Sequence, residues 1–123
     1  MAKVTPELFQ ALNDPKATAV LTKLYQAALR QGPRMIWHFL PKAYQLFSKK
    51  GMDWKSEDLS FYDDKYIPIH PAQGTFLYMQ AVALRARRIF EFGTSYGIST
   101  IYLGKAAQEN GGKVISTINS GVN

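Results

Sequence analysis

Ile89-Phe90-Glu91-Phe92-Gly93-Thr94-Ser95-Tyr96-Gly97-Ile98-Ser99 is the segment around which the rest of this chain is organised. Ile89 to Phe92 reads as a short apolar strand, Gly93 to Gly97 as a tight loop, and Ser99 to Gln108 as a helix. Asn110-Gly111-Gly112 supplies the stop that closes this helix. Lys113-Val114-Ile115-Ser116-Thr117-Ile118 then reads as a second strand. Strand, glycine loop, helix, glycine stop and strand within about 30 residues predict a parallel βαβ unit, and hence an α/β fold.

The loop places backbone N–H groups at a helix N-terminus, which suits an anion. Its spacing discriminates among ligands. A triphosphate-binding loop needs Gly-Lys-Ser/Thr after four intervening residues, whereas Gly97 is followed by Ile98 and Ser99. A dinucleotide loop needs a glycine where Ser95 stands, so that the backbone can meet a pyrophosphate. What remains is an acid two residues before the first glycine, then Gly-x-x-x-Gly and a serine. S-adenosylmethionine fits that remainder. Its carboxylate suits N–H groups and the Ser99 hydroxyl, and its ammonium suits the Glu91 carboxylate. The competing reading is an ordinary strand-to-helix turn with Glu91 as a solvent-facing residue. Against it, strands of a parallel sheet are largely buried, and a buried carboxylate without a partner is costly.

Upstream, Pro71 is expected to start a helix that carries Phe76, Leu77, Val82, Ala83 and Leu84 and ends in Arg85, Arg87 and Arg88. Those arginines either grip an anion or complement the negative end of the helix dipole, and the second reading is favoured. His70 is read as a helix-start residue, not a ligand. The first 50 residues read as helices. Thr5-Pro6-Glu7 and Asp14-Pro15 are N-terminal signals. After Asp14 a stripe of Val20, Leu21, Leu24, Ala28 and Ala17 is expected, with Gly32-Pro33 as its stop. Met35 to Leu40 forms a third apolar segment before Pro41, continued by Ala43, Tyr44, Leu46 and Phe47. Residues 53–64 carry five acids (Asp53, Glu57, Asp58, Asp63 and Asp64) whose order does not match a calcium loop, so a solvated linker is expected.

Composition bounds the function. The chain has 123 residues, 46% of them hydrophobic, with seven Phe and seven Tyr, which argues against intrinsic disorder and fits one modest core. It contains no cysteine, so disulfides, thiolate nucleophiles and Cys-based metal sites are excluded. No apolar run approaches the roughly 18–20 residues of a membrane span, and no secretory h-region follows Met1, so a cytoplasmic location is expected. The net charge of +6 resides in residues 1–50, where eight Lys/Arg face two acids; residues 51–123 hold seven of each. The basic residues fall at helical intervals, which predicts solvated helix faces and no nucleic-acid partner.

Two segments together carry a family resemblance. Glu91-Phe92-Gly93-Thr94-Ser95-Tyr96-Gly97-Ile98-Ser99-Thr100 resembles the first motif of class I O-methyltransferases related to catechol and caffeoyl-CoA O-methyltransferases. Ile69-His70-Pro71-Ala72-Gln73-Gly74-Thr75-Phe76-Leu77 resembles the helix that precedes the first strand in those enzymes. The similarity covers about residues 62–117. It implies a Rossmann-like methyltransferase fold, of which this chain holds the N-terminal part, preceded by a helical extension. The division expected is 1–60 for the extension and acidic linker and 61–123 for the cofactor-binding part. The resemblance implies methyl transfer from S-adenosylmethionine to a small-molecule hydroxyl acceptor. Glu91 and Ser99 would hold the methionine end, Gly93, Thr94, Ser95 and Gly97 would line it, and Tyr96 would pack near the sulfonium. Ile67, Pro68 and Ile69 would cap the cofactor.

The sequence departs from the family in two ways. The acid that receives the ribose hydroxyls at the end of the second strand is replaced by Ile118. The adenine segment, the ligands of a divalent cation (magnesium in the family), the catalytic base and the acceptor pocket would all lie beyond Asn123. An incomplete form of the enzyme, inactive alone and self-associating through its uncovered strands, is therefore expected. The alternative is a non-catalytic interaction fragment on a degenerate cofactor fold. A nucleotide-dependent oxidoreductase is disfavoured by Ser95 and Ile118.

Overall fold

The computed structural model describes residues 3–42, 68–94 and 96–118. A 3-10 helix (Pro6–Leu12) leads into a long helix α1 (Pro15–Phe39), and a short 3-10 turn follows at Leu40–Lys42. After residue 67 come helix α2 (Pro71–Ala83), strand β1 (Arg88–Thr94), helix α3 (Ile98–Glu109) and strand β2 (Lys113–Ile118). β1 and β2 pair in parallel, with Arg88, Ile89, Phe90 and Glu91 opposite Lys113, Val114, Ile115 and Ser116. The βαβ unit and the α/β class are therefore present as read.

Capping chemistry explains the helix starts. The Asp14 carboxylate accepts from the N–H groups of Lys16 and Ala17 at 2.9 and 3.0 Å, with Pro15 in the first turn. His70 accepts from Ala72 N–H through Nδ1, while Gln73 Oε1 accepts from His70 N–H, a reciprocal box that confirms His70 as a helix-start residue.

α3 is the hub of the packing, touching both strands, α1 and α2. Its Ile98, Tyr102 and Ala106 stripe meets Tyr78 and Ala81 of α2, Leu21 and Tyr25 of α1, and Phe9 and Leu12. The Phe9 and Tyr25 rings stack at 5.4 Å. Gly74 lets α2 lie on the Tyr102 ring, since a Cβ there would sit 2.3 Å from it. Polar contacts tie the rim. The Tyr78 hydroxyl donates to Glu109, and Lys105 bridges Glu109 and Asp14 at 3.4 and 3.7 Å.

Several expectations need correction. Gly32-Pro33 does not stop α1, which continues to Phe39 with Pro33 inside it. Gly32 does not take the left-handed conformation that a helix stop uses, and Pro33 forfeits one N–H bond without ending the helix. The inward stripe of α1 centres on Leu21 and Tyr25, whereas Val20 is about half exposed. In α2 the buried positions are Gly74, Tyr78 and Ala81, while Phe76 and Leu77, and Leu84 just past its end, face outward. The arginines do not occupy the last turn of α2. That helix ends at Ala83, Arg85 turns the chain at φ +52°, and Arg88 already belongs to β1. Ala43 to Phe47 and the acids of 53–64 lie outside the described residues.

Candidate functional site

β1 reaches the glycine loop through an irregularity. Glu91 pairs with Ser116 but Thr94 pairs with Ile118, so β1 takes one more step than its partner. Gly93 absorbs this at φ +77°, and its N–H donates to Thr117 Oγ1 at 2.9 Å. Gly97, at φ +75°, then turns the chain into α3. Both are left-handed positions at which a side chain would be strained. Gly97 begins α3 without a side chain to cap it, so among the described residues the N-cap position offers no side-chain acceptor to the first-turn N–H groups.

Beneath this turn sits Glu91, 9% exposed, on the inward side of β1. Ser99 donates its hydroxyl to Oε1, and Thr100 and Ser116 donate theirs to Oε2, the last at 2.5 Å. Thr94 and Thr100 share a further hydroxyl contact at 2.9 Å. Burial acts to raise the Glu91 pKa, but the hydroxyls of Ser116, Ser99 and Thr100 outweigh it and hold the carboxyl below its ordinary 4.5.

A depressed carboxyl makes stability depend on pH. The contribution of the charged Glu91 is complete above about pH 4.5, where the unfolded carboxyl is also ionised, and is lost as the pH falls through the lower folded value. Urea denaturation at pH 6 and pH 3 should show wild type losing more stability on acidification than Glu91→Gln. Equal losses would mean the hydroxyl cluster does not favour the charged form.

A cleft of about 600 Å³ opens over this cluster, lined by Thr94, Tyr96, Gly97, Thr100, Ile101 and Ser116 from the βαβ unit and by Val20 and Leu24 from α1. Glu91 is thus one hydroxyl away from the cleft, behind Thr100 and Ser116. An ionised carboxylate has about four acceptor positions, and three are filled, which leaves one on Oε1. The arrangement places an acceptor for a cation and the first-turn N–H groups of α3, which suit an anion, within one turn of helix. A larger groove of about 830 Å³ lies between α1 and α2, but its lining of Val4, Leu8, Leu29, Phe76, Met79 and neighbours includes no carboxylate among the described residues.

Of the residues singled out in the sequence, Thr94, Tyr96 and Gly97 line the cleft, while Glu91 and Ser99 stand beneath it bonded to each other. Gly93 is exposed on the bend. Ile69 is elsewhere; its carbonyl accepts from the Tyr25 hydroxyl at 2.8 Å and its side chain borders a separate pocket along α2. Ser95 and Ile67 lie outside the described residues. Sequence reasoning missed Thr100 and Ser116. Ser116 had a signal, being a polar residue at the inward step of β2, in register with Glu91. Val20 and Leu24 carried no comparable signal, because their approach is tertiary.

Among the described residues there is no group of three or more His, Asp or Glu placed to hold a metal ion, and no helix long and apolar enough to cross a membrane. No family model, curated protein or solved structure matches this chain.

Proposed function

We propose that this chain carries the S-adenosylmethionine-binding part of a class I O-methyltransferase with a Rossmann-like sheet. The observation that supports this most is a carboxylate kept charged one hydroxyl below a cleft whose rim is the first turn of a helix that starts at a glycine. That pairing suits a zwitterion better than a phosphate, which a neighbouring carboxylate would repel. When bound, S-adenosylmethionine supplies a methyl group activated on a sulfonium for transfer to a hydroxyl oxygen. The remaining Oε1 position of Glu91 would take the ammonium, and the first-turn N–H groups of α3 would take the carboxylate. Val20, Leu24 and Ile101 would exclude water from the apolar part of the cleft.

The alternative, a non-catalytic interaction fragment, draws support from the bare outer face of the sheet and is compatible with a retained cofactor cleft.

Titration calorimetry of the chain with S-adenosylmethionine and with NAD tests the proposal. Wild type should bind S-adenosylmethionine weakly, because a carboxylate at position 118 would add hydrogen bonds contributing about 1.5–3 kcal/mol, or roughly 10- to 100-fold in affinity. Ile118→Glu should restore part of that, and Gly97→Val should abolish binding by straining the left-handed turn. NAD binding tighter than S-adenosylmethionine binding, or no S-adenosylmethionine binding even by Ile118→Glu, would overturn it.

A further inference from the structure

Up to Phe92 in β1, and along β2, the strands alternate between faces. Ile89 and Glu91 of β1 point toward α3, where Ile89 joins the core and Glu91 meets Ser99 and Thr100. Arg88, Phe90 and Phe92 occupy the other face, with Phe90 75% and Phe92 96% exposed. On β2, Lys113, Ile115 and Thr117 are likewise exposed, while Val114 and Ser116 are partly covered. The register arranges these residues in rows, first Arg88 opposite Lys113, then Phe90 opposite Ile115, with Phe92 beyond. Parallel sheets normally have both faces covered. Here one face presents two bare aromatic rings next to a pair of like charges, and neither cation forms an ion pair with a described residue.

We infer that this face is a docking surface for a second copy of the chain, packed face to face about a two-fold axis with the strands of the two copies antiparallel. The pattern along β1 selects this occupant. A cation at 88 and an aromatic ring at 92 are separated by four residues, about 13 Å of strand. With the axis near the Phe90 and Ile115 row, Arg88 of each copy lies over Phe92 of the partner subunit. The same favourable contact is then made twice, as a two-fold interface requires. A guanidinium over a ring face is attracted by the quadrupole of the ring, and the contact separates the Arg88 and Lys113 pairs of the two copies to opposite ends of the patch. Phe90, nearest the axis, packs on the same row of the other copy.

The size of the patch fits a reversible dimer. Each phenylalanine carries about 150–250 Å² of surface, so Phe90, Phe92, Ile115 and the stems of Arg88 and Lys113 offer roughly 500 Å² per copy. The total, about 1,000 Å², is at the lower bound of a specific interface. The inference does not depend on the cofactor reading, since α3 and the cleft are on the opposite face of the sheet.

The experiment is sedimentation velocity of the whole chain over a concentration series, with two variants at exposed positions. Phe92→Arg should weaken self-association at least 10-fold, because it sets like charges together twice. Arg88→Glu should also weaken it, because a carboxylate over a ring face is repelled. An equimolar mixture of the two should associate again. Each mixed pair keeps one Arg88 over Phe92 and turns the other contact into an ion pair, and this recovery also shows that both variants fold. A monomer at every wild-type concentration overturns the inference, as does a mixture no better than its components. Binding of a fluorescent oligothymidylate or polyglutamate by wild type, lost in Arg88→Glu while self-association is unchanged, would overturn it in favour of a polyanionic partner.

Discussion

Gly112→Ala is expected to destabilise this protein by about 3 kcal/mol or more, the upper end of what overpacking costs. In a domain of this size that corresponds to a fall on the order of 10 °C in melting temperature. The reason is the tight return from α3 into β2. Asn110 ends the helix and its side-chain amide donates to the carbonyls of Ala81 and Ala86, at 3.0 and 3.1 Å, holding the turn after α2. Gly111 reverses the chain at φ +65°. Gly112 then donates to Ala107 O at 2.7 Å, and Lys113 donates to Arg87 O at 2.9 Å. This brings Gly112 against the backbone of the residue that precedes β1. A Cβ added there would lie 2.2 Å from Arg87 O, 2.4 Å from its Cα and 2.5 Å from its carbonyl carbon. Backbone atoms cannot rotate aside, so relief requires separating the first rungs of the sheet.

Two other glycines serve as controls. Gly111→Ala forces a side chain into a left-handed position and should cost about 1–2 kcal/mol. Gly104 lies inside α3 with nothing within 4 Å of a new Cβ, so Gly104→Ala should stabilise by about 0.5–1 kcal/mol. Thermal melts followed by circular dichroism rank the three. If Gly112→Ala melts with wild type, β2 does not begin against Arg87 as described.

The parts of the fold that local chemistry dictates were legible. Proline and a polar cap mark the starts of α1 and α2, and the change from helical to strand periodicity at Ile89 marks β1, which begins one residue earlier, at Arg88. The glycines at 93, 97 and 111 stand where the chain takes positive φ. The parts that failed depend on what surrounds an element. Gly32-Pro33 has the composition of a stop, yet a stop needs the glycine to adopt a left-handed conformation, and sequence does not reveal whether it does. α2 is apolar on several sides, so its periodicity could not show that Tyr78, not Phe76, faces the core. At the site, Glu91 was correctly read as buried and in need of a partner. That its partners are the hydroxyls of Ser99, Thr100 and Ser116 depends on the register of β2 and the first turn of α3, which bring together residues 25 positions apart.

Glu91→Ala should therefore be the most damaging substitution at the site, and Glu91→Gln the most informative. The alanine leaves three hydroxyls without their common acceptor. Hydrogen bonds to a charged group contribute about 1.5–3 kcal/mol each, so the loss should reach about 3 kcal/mol even if water in the cleft serves some of the orphaned hydroxyls. Glutamine keeps the shape of the side chain. Its carbonyl oxygen accepts from two hydroxyls, and the third can rotate to accept from the amide N–H, since a hydroxyl both donates and accepts. Its stability cost should stay near 1 kcal/mol, the scale of an ordinary neutral hydrogen bond. What glutamine removes is the charge that would attract an ammonium, and affinity for S-adenosylmethionine should fall roughly 10- to 100-fold. Melting curves and calorimetry on the same two variants, made in the Ile118→Glu background where binding is strongest, separate the roles. A glutamine variant that melts close to its parent but has lost the cofactor assigns Glu91 to ligand recognition as well as to the fold. One that keeps full affinity confines Glu91 to holding β1, β2 and α3 together, and removes the acid half of the zwitterion argument.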